Sequence, residues 1–91
     1  MQEENQLLVF TKLNNEWHRS FVNDIMEIAR ELSLEIEVVD IDTTDGLLRM
    51  RMLGVEFIPT IVVNRSVHMI GVRSREELKK KIEEYINKRE S

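Results

Sequence analysis

Cysteine is absent from this 91-residue chain. Without it the chain can form no disulfide, present no thiolate nucleophile and build no cysteine-ligated zinc or iron–sulfur site. Disulfides persist mainly in oxidising compartments, so a chain without cysteine fits a reducing one. The absence excludes thiol chemistry, and we expect a cytoplasmic protein.

Long apolar runs and basic stripes are absent too. The apolar runs are a few residues long, far short of the about 20 that a membrane-spanning helix needs. The 13 Lys and Arg are interleaved with 17 Asp and Glu, giving a net charge of −4. Residues 1–5 are polar and acidic, unlike a signal peptide. We therefore expect neither a membrane nor a nucleic acid as partner.

Histidine is scarce, with only His18 and His68 in the chain. A protein zinc site without cysteine needs histidines and carboxylates brought together, and the spacing of these two suggests no such group. His68 alternates with apolar residues and is predicted on the exposed face of a strand. We expect no metal and no cofactor.

The apolar residues that are present predict a single α/β domain spanning residues 1–91, with its core at about 7–86. Short apolar runs predict strands, and recurrence every three or four residues predicts helices. In chain order these are strand 7–10, helix 21–32, strand 36–41, helix 47–53, strands 61–63 and 67–70, and helix 78–86. The order β-α-β-α-β-β-α predicts a mixed four-stranded sheet with helices on both faces.

The only proline, Pro59, opens the third predicted strand. Together with the element order, this position resembles the thioredoxin and glutaredoxin superfamily, and the length is similar to that of small archaeal-type thioredoxins. Phe10-Thr11 matches the strand end that precedes the family's Cys-x-x-Cys motif. The four motif positions fall on Asn15, Glu16, Trp17 and His18. Further matches are Val39-Asp40-Ile41-Asp42 in the second strand, Ile58-Pro59-Thr60 in the proline loop and Gly71 after the fourth strand.

The resemblance implies a binding surface and, with the thiols replaced, no disulfide exchange. In the family the proline is cis, faces the motif and lies in a loop that pairs with an extended substrate peptide through main-chain groups. We therefore expect a redox-inactive domain that is not an enzyme, with a protein or extended peptide as partner. The candidate surface comprises Asn15, Glu16, Trp17, His18, Phe57, Ile58, Pro59, Thr60 and Gly71.

Two alternatives stay open at individual residues. Glu16 and His18 could act as an acid–base pair, or could simply be ordinary residues at a helix start. Trp17 could be an exposed anchor for a partner, or could pack back on Phe57 or the sheet edge. Met50 and Met52 are predicted as flexible side chains that fill gaps in the core.

Two other functional hypotheses remain. The first is a thioredoxin- or glutaredoxin-family protein with a redox role that uses no thiols of its own. The second is a regulator similar to the circadian-clock KaiB family, which also lacks the motif and has an Asn in a loop like that holding Asn14. The chain lacks that family's proline-rich segment after the third strand. Oligomeric state is not predicted.

Overall fold

The computed structural model describes residues 6–68 and 74–88. In chain order they form β1 (Gln6–Thr11), α1 (Glu16–Glu31), β2 (Glu35–Asp40), α2 (Thr44–Met52), β3 (Thr60–Val63), β4 (Ser66–His68) and α3 (Arg75–Lys88). The predicted α/β class is confirmed.

The strands lie side by side in the order β2-β1-β3-β4. β1 and β2 are parallel, with Leu7 opposite Ile36. β3 is antiparallel to β1, with Phe10 opposite Thr60, and pairs with the three residues of β4 through a tight turn. The two turn residues, Asn64 and Arg65, have φ values of 48° and 74°, as a two-residue hairpin turn requires. Residues 69 and 70 of the predicted fourth strand lie outside the described residues.

The larger apolar cluster lies between the sheet and the pair α1 and α3. Alternate residues of β1 and β3 point into it, because successive side chains of a strand face opposite sides. α1 has 16 residues and a buried apolar stripe, and no helix in the described parts of the chain is long and apolar enough to cross a membrane. The buried members are Leu7, Val9, Phe21, Val22, Ile25, Ile28, Ala29, Ile61, Val63, Leu78 and Ile82.

The smaller apolar cluster lies on the opposite face of the sheet, which α2 covers. Its buried members are Phe10, Val39, Val55 and Val62. α2 adds only the half-buried Met50 to it, while Met52 is 77% exposed. The prediction that Met52 fills the core is therefore wrong.

α2 approaches the sheet closely through Gly46 rather than through an apolar stripe. A Cβ at Gly46 would lie 2.0 Å from the backbone oxygen of Asp40, so only glycine fits there. The Thr43 side chain caps the helix by accepting a hydrogen bond from the Gly46 N–H at 2.9 Å. Contacts at the helix start thus fix α2 and leave its outer side free.

Candidate functional site

The start of α1 is capped by the side chain of Asn15. This residue has extended backbone angles, and its Oδ1 accepts hydrogen bonds from the N–H groups of Trp17 at 2.9 Å and His18 at 3.3 Å. Two amides that would otherwise lack a helical partner are thereby satisfied. Glu16 lies in the first turn, where the helix dipole favours a negative charge. The local sequence therefore stabilises the start of α1.

The His18 ring ties that helix start to the end of β1. Its Nδ1 lies 2.7 Å from Oγ1 of the fully buried Thr11, and the Lys12 backbone N–H donates to the same nitrogen at 3.3 Å. A backbone N–H can only donate, so Nδ1 is the acceptor and the Thr11 hydroxyl also donates to it. In this arrangement the ring proton is on Nε2. His18 thus has a structural role in positioning the first turn of α1.

The proline loop leads into β3. The Ile58–Pro59 peptide bond is cis, and the hydroxyl of the buried Thr60 donates to the carbonyl oxygen of Phe57. Ile58 is half-buried against the smaller apolar cluster. Within the described residues, neither the N–H nor the C=O of Ile58 forms a hydrogen bond. The loop therefore has a backbone segment whose polar groups have no partner in those residues.

The sheet register brings these two segments to the same end of β1. Phe10 is opposite Thr60, so the proline loop ends where Thr11 leads toward α1. Two large apolar side chains stand exposed at this end, Trp17 at 68% and Phe57 at 60%. We call the side chains and backbone of residues 15–18 and 57–59 the Trp17/Phe57 surface.

The sequence-predicted site residues are distributed as follows. Residues 15–18 and 57–60 flank one end of β1, whereas Gly71 lies outside the described residues. Trp17 is exposed, so its packing on the sheet edge is not observed. No hydrogen bond or ion pair joins Glu16 to His18 in residues 6–68 and 74–88, which gives the acid–base alternative no support.

Thr11 and Lys12 contact the site through His18, although neither was among the predicted site residues. Their contact with His18 spans six or seven residues across a turn, and no periodic pattern reports such a bond. Among the described residues, no three His, Asp or Glu side chains group in a way that could hold a metal ion.

Thioredoxins are among the solved structures similar to this chain. Thioredoxin 1 from the thermophilic eubacterium Thermosipho africanus TCF52B aligns with a TM-score of 0.69 and 18% identity, over 94% of this chain and 99% of that one. Thioredoxin O2 from Arabidopsis thaliana in its oxidised state aligns with a TM-score of 0.71 and 20% identity, over 89% and 74%. A mutant thioredoxin from Halobacterium salinarum NRC-1 gives 0.71 and 20%, over 91% and 75%. No protein-family model and no curated protein matches the sequence.

The chain has a thioredoxin-like fold. TM-scores of 0.69 and 0.71 establish this architecture, and identities of 18% and 20% leave the activity to be argued from the site. In this thioredoxin-like chain no cysteine exists at any position, and the two positions that the sequence resemblance assigns to the motif thiols hold Asn15 and His18. One of these caps a helix and the other accepts hydrogen bonds from β1 and the turn after it.

Proposed function

We propose that this chain is a redox-inactive thioredoxin-like domain that binds an extended segment of a partner protein at the Trp17/Phe57 surface. The observation that carries the proposal is the exposure of Trp17, in the first turn of α1, and of Phe57, in the proline loop, at the same end of β1 in a chain that has no thiol. We further propose that residues 1–91 act as one domain in the cytoplasm, where the absence of disulfides carries no penalty.

The chemistry of the first turn of α1 supports the proposal that the chain is redox-inactive. Disulfide exchange requires a thiolate that attacks and a second thiol that resolves the mixed disulfide. Asn15 is a neutral amide with its oxygen already used by two N–H groups, and the Nδ1 of His18 already accepts two hydrogen bonds. Neither side chain can form or break a bond to sulfur by this route.

The backbone of the proline loop supports the proposal that the chain binds an extended peptide segment. Its N–H and C=O at Ile58 can accept an extended peptide as an additional strand, a mode that depends on main-chain groups and not on sulfur. Trp17 and Phe57 then offer apolar and aromatic area to alternate side chains of that peptide. Aromatic side chains are enriched among the residues that dominate binding energy.

A peptide selection tests this proposal. The immobilised chain is used to select binders from a random peptide library, and a selected peptide is titrated into ¹⁵N-labelled protein. We expect shifts at the Ile58 amide and the Trp17 indole N–H. We also expect affinities at least about tenfold weaker for Trp17→Ala and Phe57→Ala, the size typical of interface anchors.

Met26→Ala is the matched control, because Met26 is also an exposed apolar side chain but lies in the middle of α1. It should bind selected peptides as the unchanged chain does. If peptides are selected but bind equally well to Trp17→Ala and Phe57→Ala, the surface is wrong. If no peptide is selected above background, the binding function itself is contradicted.

A further inference from the structure

Among the helices of the described residues, α2 together with the residue that follows it holds the most exposed large apolar side chains. Of their seven exposed large apolar side chains, four lie in α2 or directly after it: Leu47, Leu48, Met52 and Leu53. Leu48 is 55% exposed and Met52 is 77% exposed, and they are four residues apart, so they share one side of the helix. Leu48 and Met52 are thus the apolar residues of one exposed side of α2, while Leu47 and Leu53 lie to either side of it.

The charged side chains of α2 are acidic in its first turn and basic in its last turn. Asp45 lies in the first turn and Arg51 in the last, and both are exposed. Each is three residues from Leu48, in opposite directions, so the two charges flank it along the exposed side. The Arg51 guanidinium forms no ion pair or hydrogen bond with any described residue. Arg49, in contrast, is directed to the sheet edge, where it binds Glu37 through two hydrogen bonds.

This arrangement is self-complementary. When two copies of the helix pack antiparallel about a twofold axis at Leu48, the Asp45 of each copy lies level with the Arg51 of the other. The apolar centre is then Leu48 against Leu48, with Met52 beside the partner's Thr44. A twofold interface requires a patch that complements itself in this way. In its own chain the pKa of Arg49 is raised chiefly by its hydrogen bonds to Glu37 and only to a smaller extent by the charge of Asp45.

We propose that this face of α2 is the interface of a weak homodimer, independent of the Trp17/Phe57 surface. A second copy fits because the acidic start, apolar centre and basic end of the face match the same features in reverse order. One nine-residue helix buries a small area, and interfaces of total area below about 1,200 Å² are typically transient. Dimerisation should therefore be seen at high micromolar concentration.

Sedimentation equilibrium of the full chain from about 10 μM to about 1 mM covers the range for a weak complex. We expect a shift from monomer to dimer across this range, and a monomer throughout for Leu48→Glu. Arg51→Glu should weaken dimerisation about tenfold, because it places two like charges opposite each other on both sides of the axis. The double variant Asp45→Lys/Arg51→Glu should regain most of the lost affinity.

Met26→Glu is the control for a charge placed on a different exposed apolar position, and it should dimerise normally. Far-ultraviolet circular dichroism of each variant separates loss of dimer from loss of fold. An unchanged chain that stays monomeric at about 1 mM overturns the dimer. A dimer that forms equally well with Leu48→Glu, or a folded double variant with no recovery, overturns the α2 interface.

Discussion

At the scale of single residues, the buried hydroxyl of Thr11 has a single hydrogen-bond partner among the described residues, the ring of His18. Thr11 is fully buried, and the His18 Nδ1 at 2.7 Å accepts its hydrogen bond. A buried polar group that loses its partner keeps its desolvation cost, about 1–3 kcal/mol. His18 therefore stabilises the junction between β1 and α1, and these hydrogen bonds already occupy its Nδ1.

We predict that His18→Ala lowers the free energy of unfolding by about 1–3 kcal/mol, because the Thr11 hydroxyl is left without its acceptor. Urea unfolding followed by circular dichroism measures the change. In the unchanged chain, the ¹⁵N chemical shifts of the His18 ring should report the tautomer with its proton on Nε2, as the two donors to Nδ1 require.

Thr11→Val supplies the control, since it removes the hydroxyl and keeps the shape of the side chain. In the Thr11→Val background, His18→Ala should cost clearly less than in the unchanged chain, with a coupling of at least about 0.5 kcal/mol. Equal costs in the two backgrounds would mean that the hydrogen bond does not account for the role of His18.

The sequence indicated some of these residue roles and missed others. Asn15 could be predicted as a helix cap, because Asn before an amphipathic stretch satisfies free amides wherever the stretch folds. The exposure of Trp17 could not be predicted, since a tryptophan in a first helical turn can point outward or back onto the sheet. The bond between His18 and Thr11 depends on the path of residues 12–15, which no local pattern specifies.

At the scale of elements, α1 and α3 are joined across their polar edges by charged side chains. Arg75 binds Glu27, with Nε 3.2 Å from Oε1, and also hydrogen-bonds Glu31. Lys79 lies 3.1 Å from Glu31. The hydrogen bonds from Lys79 and Arg75 lower the pKa of Glu31 from its ordinary value of 4.5. The ionised form of Glu31 is thus favoured in the folded chain.

We predict that Glu31→Gln lowers the urea midpoint at pH 7 and that the difference becomes smaller on acidification. Because the pKa of Glu31 is depressed by folding, its charge stabilises the fold above 4.5, and this contribution is lost as the pH falls through the lower folded-state value. Unfolding curves at pH 7 and at about pH 3 measure the effect. Added salt should reduce it at pH 7, since the groups are partly exposed.

Glu83→Gln on α3 is the matched control, because the Glu83 carboxylate has no ion-pair partner among the described residues. It should leave the midpoint at pH 7 nearly unchanged. If Glu31→Gln destabilises the chain as much at pH 3 as at pH 7, the effect of the substitution comes from packing and not from charge.

The elements that bury a regular apolar pattern were predictable, and α2 shows where that reasoning stops. The apolar runs of β1 and β2 and the apolar stripe of α1 can be buried in only one way. The predicted positions of these three elements therefore agree with the structure to within five residues. α2 has enough Leu and Met for a core helix, yet Met50 is its only apolar side chain that packs against the buried Val39, Val55 and Val62. A sequence pattern reports how apolar a helix is, and not whether a surface remains to cover it.

At the scale of the whole molecule, the chain combines a thioredoxin-like fold with the absence of cysteine. The fold of solved thioredoxins is matched over most of the chain. At the helix start, the N–H groups of Trp17 and His18 donate to the side chain at position 15. Free amides and the positive end of a helix are what stabilise a reactive thiolate. If the proposed redox inactivity has its origin in the side chains at positions 15 and 18, then thiols placed there should supply the chemistry.

We predict that Asn15→Cys/His18→Cys forms a disulfide between positions 15 and 18 and gains disulfide reductase activity. In each cycle the thiolate introduced at position 15 attacks a disulfide of insulin, the second thiol releases the reduced product and the 15–18 disulfide remains, which dithiothreitol then reduces. The measurement is insulin precipitation by turbidity, with the rate in dithiothreitol alone as baseline. The unchanged chain should stay at that baseline, because it supplies no thiol.

The single variants Asn15→Cys and His18→Cys are the controls, because each has one thiol and can only complete exchange with help from the reductant. Both should fall well below the double variant. Replacement of His18 also removes the acceptor of the Thr11 hydroxyl, so circular dichroism must show that each variant is folded at the assay temperature. A folded double variant whose 15–18 disulfide is seen by mass spectrometry, yet which stays at baseline, would show that the architecture has lost more than its thiols. Turnover by the unchanged chain would contradict redox inactivity directly, since no residue it contains can carry the electron pair between two disulfides.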